Sequence, residues 1–190
     1  MANVDTSRRI RQLLDPQGME KVLDEMAEQI FRDFPDSSSL LLMGMASRGI
    51  PLAERLAQRL DTRYGSKVPV GNLDATFYRD DFHFRKRLSN QSMKITAMPR
   101  PVEALNVILV DDVLYTGRSI RAALESIMDM GRPRSVRLAV MVDRGHRELP
   151  IAADYVGLLV KTAQNQEVRV RLEPLDAETS VWLVEVEGIA

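Results

Sequence analysis

The string Val107–Leu124, VILVDDVLYTGRSIRAAL, sets two adjacent carboxylates, Asp111 and Asp112, at the end of a short apolar run. A polar turn follows at once, Leu114, Tyr115, Thr116, Gly117, Arg118 and Ser119, and opens onto a helical pattern. A turn that runs into a helix N-terminus presents backbone N–H groups without intrahelical partners. The Thr116 and Ser119 hydroxyls would add to them, and together they suit a phosphate. Ionised carboxylates only accept hydrogen bonds. Beside a phosphate, Asp111 and Asp112 would repel it unless they hold something else, and a ribose diol is the natural partner. An ordinary strand–helix turn with acidic capping residues explains one such aspartate well and the whole string poorly.

Other chemistries are excluded by what the chain lacks. It contains no G-x-x-x-x-G-K-[ST] loop, no G-x-G-x-x-G fingerprint and no G-x-S-x-G elbow. The usual nucleoside-triphosphatase, dehydrogenase and α/β-hydrolase signatures are therefore missing. The absence of cysteine removes disulfides, thiolate catalysis and iron–sulfur clusters. His83 and His146 are the only imidazoles, too few for most histidine-based metal centres. Lys plus Arg (26) nearly balances Asp plus Glu (27), so bulk charge does not favour non-specific nucleic-acid binding. No apolar run approaches the roughly 20 residues of a membrane helix, and no apolar stretch follows Arg8-Arg9 as in an export signal. These features predict a soluble, cytoplasmic protein with neither DNA nor membrane as a partner.

The elements that must position the string follow from periodicity. With 190 residues, 45% of them apolar, the chain suits one domain and one core. Asp15-Pro16 reads as an N-cap followed by proline at the first helical position. Met19, Val22, Leu23, Met26, Ala27, Ile30, Phe31 and Phe34 then recur at helical spacing. Leu40–Gly44 reads as a strand buried on both faces, and a second helix follows Gly49, with Pro51 in its first turn. Val107–Val110 repeats the buried-strand pattern. A helix from about Gly117 turns Ile120, Ala123, Leu124 and Ile127 inward, with Gly131 as its C-cap. Val136–Val142 and Tyr155–Val160 complete a strand–helix alternation that calls for a parallel sheet covered on both sides. Beyond it, Val168, Val170 and Leu172 alternate with Glu167, Arg169 and Arg171, and Val181–Val186 is strand-like again. These strands read as a small half-exposed flap attached to the main sheet. Residues 85–101 show little periodicity, which marks a candidate lid.

VILVDDVLYTGRS resembles the signature with which type I phosphoribosyltransferases bind 5-phosphoribosyl-1-pyrophosphate (PRPP). Three further strings narrow the resemblance to the PyrR family, bifunctional pyrimidine-operon regulators and uracil phosphoribosyltransferases. They are Ser47-Arg48-Gly49, FYRDDF at Phe77–Phe82 and VDRGHRELPI at Val142–Ile151, and the similarity runs from about Leu14 to Leu172. The resemblance implies an α/β fold of the type I phosphoribosyltransferase kind, a central parallel sheet with helices on both faces and a hood of extra strands. It implies one domain over residues 1–190, with a mobile lid at about 79–104 and a C-terminal flap at about 163–190.

Residue by residue, it places the ribose hydroxyls of PRPP on Asp111 and Asp112 and the 5′-phosphate in the loop Leu114–Ser119 (Leu114, Tyr115, Thr116, Gly117, Arg118, Ser119), with Val113 also in the PRPP site. Ser119 stands where threonine is common and keeps the hydroxyl. Ser47, Arg48 and Gly49 fall in the pyrophosphate loop, which in the superfamily often holds a non-proline cis peptide. Arg79 would close on the pyrophosphate and share the catalytic work with Arg48, Asp111 and Asp112. Val142, Asp143, Arg144 and Val168 would face the base. Mg²⁺ is implied, bound mainly through PRPP, with Asp111 and Asp112 as the protein's contribution.

The implied reaction converts uracil and PRPP to UMP and pyrophosphate, in a homodimer or larger homo-oligomer. Hypoxanthine and orotate enzymes share the PRPP signature, so the base follows from the resemblance and not from chemistry. Two alternatives stand beside the enzyme, a UMP- or UTP-sensing RNA-binding attenuator and a catalytically silent PRPP-binding protein. RNA is where the sequence departs from the family. The first helix offers Glu20, Asp24, Glu25, Glu28 and Asp33 against Lys21 and Arg32, and Ala152 and Leu158 follow the RGHRELP turn where basic residues are expected. Arg144, His146 and Arg147 remain the candidates for RNA contact, and weak or absent RNA binding is the expectation.

Overall fold

Leu40–Met45 is buried at every position because the strand it forms is covered on both faces. Leu40 and Leu42 enter one hydrophobic core, while Leu41, Met43 and Met45 enter another on the opposite side. Ile108 and Val110 against Val107 and Leu109 repeat the partition, as the two-residue period of a strand requires. The computed structural model describes residues 7–74 and 94–186.

In chain order the elements are β1 (Arg8–Leu14), α1 (Pro16–Asp33), β2 (Leu40–Met45), α2 (Gly49–Tyr64), β3 (Val70–Asp74) and β4 (Lys94–Ala97). Then come β5 (Asn106–Leu114), α3 (Arg118–Asp129), β6 (Ser135–Asp143), β7 (Tyr155–Leu159), β8 (Gln166–Arg171) and β9 (Ser180–Glu185). The main sheet has the order β4-β3-β2-β5-β6-β7; its five strands from β3 to β7 are parallel and β4 is antiparallel. Side chains of α1 and α2 fill the core on one face, and those of α3 fill the other. The expected helices are present. Asp15 caps α1 by accepting the Gly18 N–H at 2.7 Å, and Pro16 opens the helix. Helix α3 ends at Asp129 and its cap is Met130, so Gly131, the expected cap, lies one residue beyond it.

Three features differ from the expectation. The flap is not joined to the main sheet by strand pairing. It is a separate antiparallel sheet of order β1-β9-β8, whose Val168, Val170, Val181 and Leu183 close over the α1/α2 core. Strand β1, RRIRQLL, shows no alternation and is a strand because β9 pairs with it. In the candidate lid, Lys94–Ala97 forms β4 against Asn72–Asp74 of β3, and Val102 is fully buried. Its earlier part, with Arg79 and the FYRDDF string, lies outside the described residues.

The surface shared by α1 and α2 also differs from a simple acidic face. Glu20, Asp24 and Glu28 recur every four residues along α1, and Arg55, Arg59 and Arg63 do so along α2. They interlock. Arg59 pairs with Glu20 and, at 2.6 Å, with Asp24, while Arg55 meets Glu20 at 3.4 Å and Arg63 meets Glu28 at 3.3 Å. Asp33 accepts the Tyr155 hydroxyl at 2.7 Å; burial and that carboxylate together raise the phenol well above its ordinary pKa. The two-helix surface is thus close to self-neutralised.

Candidate active site

The strand order reverses between β2 and β5. The chain winds from β2 through α2 to β3 on one side, then returns beside β2 and winds through β5, β6 and β7 on the other. In open α/β sheets the carboxyl ends of strands at such a switch point leave a crevice for ligands. Here the crevice is a cleft of about 640 Å³ lined by Met45–Arg48 after β2, Asp111–Gly117 with Ser119 at the end of β5, and Arg144 after β6. The residues of β8 from Glu167 to Arg171, with Asp176 beyond them, form its wall on the small-sheet side.

Strand β5 is longer than its apolar run suggests and continues through the half-buried Asp111 and Asp112 to Leu114. Each carboxylate accepts the N–H of the next residue, Asp111 from Asp112 at 2.9 Å and Asp112 from Val113 at 2.8 Å. One carboxylate oxygen in each is thus used to fix the side chain. Gly117 takes φ of 93° at the N-cap of α3 and supplies no side-chain cap to the first turn of the helix. Thr116 accepts the Arg118 N–H through its hydroxyl at 3.3 Å. The loop is held from behind by the RGHRELP turn. Thr116 O accepts from the Glu148 and Leu149 N–H groups, and Arg147 donates to Leu114 O, Tyr115 O, Gly145 O and Ile151 O while pairing with Asp143.

Gly49 lets the turn after β2 approach the end of β5. An added Cβ there would lie 2.4 Å from Val110 O. The Ala46–Ser47 peptide is cis, in the loop where the resemblance expects a non-proline cis bond. Arg48 donates from Nε and Nη2 to the Asp176 carboxylate at 3.0 and 2.8 Å. The pair acts in both directions. Asp176 raises the Arg48 guanidinium above its ordinary value, and Arg48 holds the Asp176 carboxyl below the usual carboxylate range.

Of the residues expected at the base, Arg144 and Val168 line the cleft. Arg144 is only 6% exposed; burial lowers its pKa, and its guanidinium lies 4.0 Å from the Tyr115 ring centroid. It donates to Gln166 O and to the Thr162 hydroxyl. Val142 is fully buried in the core, and Asp143 is paired with Arg147; neither is among the lining residues. His146 bonds to Thr162 O at 2.7 Å, not within its own turn. Among the cleft residues that motif reading missed, with Glu167, Arg169 and Arg171 of β8, is Asp176. It sits in the turn LEPLDAET, which carries no spacing pattern of its own.

The donor set bears on the implied metal. No group of three or more His, Cys, Asp or Glu side chains among the described residues forms a protein cage. Two adjacent carboxylates beside a turn that opens a helix fit a hard divalent ion held largely by substrate oxygens, the usual habit of Mg²⁺.

Residues 9–175 match the model of the phosphoribosyl transferase domain. A bifunctional protein PyrR of Pelotomaculum thermopropionicum is 48% identical over 180 residues, 94% of this chain and 98% of that protein. The bifunctional protein PyrR of Alkaliphilus metalliredigens is 48% identical over 171 residues, 90% and 93% of the two chains. Among solved structures, a hypoxanthine phosphoribosyltransferase of Trypanosoma cruzi superposes with a TM-score of 0.71 at 17% identity, covering 94% of this chain and 98% of that one, a likeness of fold. Motif, cleft and near-full-length similarity agree: the chain belongs to the phosphoribosyl transferase domain family and, within it, to the PyrR proteins.

Proposed function

We propose that this protein transfers the phosphoribosyl group of PRPP to uracil, giving UMP and pyrophosphate. The observation that carries the reading is the convergence of Asp111, Asp112, the Leu114–Ser119 loop and Arg48 on one cleft at the switch point of the sheet. The bond from the anomeric carbon to pyrophosphate breaks, and a bond to a ring nitrogen of the base forms. Charge builds up as an oxocarbenium-like ribose and a polyanionic leaving group. The protein's work is then to align two reactants and to place fixed charge, not to form a covalent intermediate.

Asp111 and Asp112 hold the ribose diol, and the N-terminus of α3 with Thr116 and Ser119 binds the 5′-phosphate. Arg48, joined by Arg79 from outside the described residues, supplies N–H donors to the pyrophosphate. Mg²⁺, when bound through PRPP with Asp111 and Asp112, supplies neutralising charge to the leaving group. Arg144 and β8 around Val168 form the side of the cleft that receives the base. The protein works in the cytoplasm, as a homodimer or larger homo-oligomer. No described helix is long and apolar enough to cross a membrane, which is compatible with that setting.

Pyrophosphate release from PRPP tests the reading. Release is expected with uracil and Mg²⁺ together, and not when either is omitted. Release with hypoxanthine but not uracil would overturn the base assignment. No turnover with any base, despite PRPP binding, would favour the silent PRPP-binding alternative.

UMP and UTP fit the same cleft as product and related nucleotide, but we expect attenuator-type RNA binding to be weak. Affinity for RNA draws on Lys and Arg that neutralise phosphates. Arg55, Arg59 and Arg63 are already paired with α1, Arg144 is buried, and Arg147 is committed to the phosphate loop. A gel-shift titration with the leader transcript of the source organism's pyrimidine genes should show no UMP-stimulated preference over a scrambled control. Tight, UMP-stimulated binding would restore the regulator role.

A further inference from the structure

An arginine guanidinium carries five N–H donors on two usable edges, so it can hold two oxyanions at once. Arg48 uses one edge. Its Nε–H and one Nη2–H form a side-on fork with Asp176, and its other three N–H groups meet no partner among the described residues. The Arg48 and Asp176 side chains are both largely buried, at 33% and 13% exposure. Asp176 is itself fixed. Its Oδ2 accepts the Leu172 N–H at 2.8 Å and its own N–H donates to Leu172 O at 2.8 Å, while Leu172 is fully buried. The carboxylate is therefore tied to the backbone of a core residue just beyond β8. The arginine it holds starts from the loop after β2, across the cleft.

We propose that Asp176 is a positioning residue for Arg48: by clamping the Nε/Nη2 edge of the guanidinium it presents the Nη1/Nη2 edge to the pyrophosphate group of PRPP. This deepens the phosphoribosyl-transfer reading and rests on it. Without the clamp a long, many-rotamer side chain must be ordered by the ligand, and binding weakens accordingly. A bidentate edge aimed at phosphate oxygens is also more selective than an unattached cation.

Binding of Mg²⁺–PRPP, measured by calorimetry without uracil, tests the proposal through a double-mutant cycle. Asp176→Asn keeps an oxygen for the Leu172 N–H but turns an amide N–H₂ toward Arg48, so the fold should persist and the fork should fail. It should weaken binding by about tenfold, the scale of one hydrogen bond to a charged group. Arg48→Ala should weaken it at least as much, and the double variant should lie within about threefold of Arg48→Ala, as coupled residues require. Effects that multiply would give Asp176 an independent role and overturn the proposal. Tighter binding in Asp176→Asn would do so too, since it would make Asp176 a competitor of pyrophosphate. Should Asp176→Asn fail to fold by circular dichroism, Arg48→Lys decides. It keeps the charge and the Asp176–Leu172 bond but cannot form the fork; about tenfold weaker binding supports positioning, and wild-type binding refutes it. Failure of the wild-type protein to bind PRPP at all would instead sink the parent reading, so the two failures are distinct.

Discussion

Converting Asp111 and Asp112 together to asparagine should lower kcat/KM for PRPP by about a thousandfold while leaving the fold intact. Each carboxylate already accepts a backbone N–H from the next residue, and an asparagine Oδ1 can accept the same bond. The local end of β5 should therefore survive, and the melting temperature should move little. What is lost is the second oxygen of each side chain as a charged acceptor. Hydrogen bonds to charged groups contribute about 1.5–3 kcal/mol each. Two of them amount to roughly 3–6 kcal/mol, and a factor of ten in rate corresponds to about 1.4 kcal/mol, which gives a loss on the order of 10² to 10⁴. Steady-state pyrophosphate release and a thermal melt on the same preparation check both halves. A loss under tenfold would remove the two aspartates from the ribose and metal end of the site.

Gly49→Ala should damage stability and activity together. The new Cβ would sit 2.4 Å from Val110 O and 3.2 Å from Asp111 Cα, both backbone atoms of a central strand that has no room to yield. Overpacking of this kind costs about 1–3 kcal/mol, and more where the neighbour is rigid. At about 2–4 °C per kcal/mol for a chain of this size, the melting temperature should fall by roughly 2–12 °C. The strain would be relieved by moving the turn that carries Ser47 and Arg48 away from the strand end that carries Asp111. A misplacement near 1 Å lowers rate by about 10²-fold. Gly65→Ala is the control. It adds a Cβ with nothing within 4 Å, although at φ of 66°. It should cost only about 1–2 kcal/mol of backbone strain and leave kcat/KM near wild type. Equal loss of activity in both variants would show that the close approach at Gly49 does not set the site.

The sequence by itself determined those parts of this protein whose cause is local or periodic. Asp15-Pro16 starts α1 because a cap and a fixed φ act within one turn. Leu40–Met45 and Val107–Val110 announce buried parallel strands because both faces must be apolar. The turn from Leu114 to Ser119 was legible as a candidate phosphate site because a strand, two carboxylates and a helix start are contiguous in the chain. The tertiary structure alone decided what depends on partners distant in sequence. RRIRQLL is a strand because β9 supplies its hydrogen bonds, and Lys94–Ala97 is one because β3 does. The arginines of α2 are neutralised by carboxylates some 35 to 39 residues earlier, which turned a seemingly acidic helix into a balanced two-helix surface. The RGHRELP turn, legible as a motif, proved to brace the loop after β5 from behind through Arg147. Asp176 reaches Arg48 across 128 positions from a turn with no motif. An ion pair leaves no spacing in a sequence when its two halves lie in loops of different sheets; only the closing of the small sheet over the core brings them together.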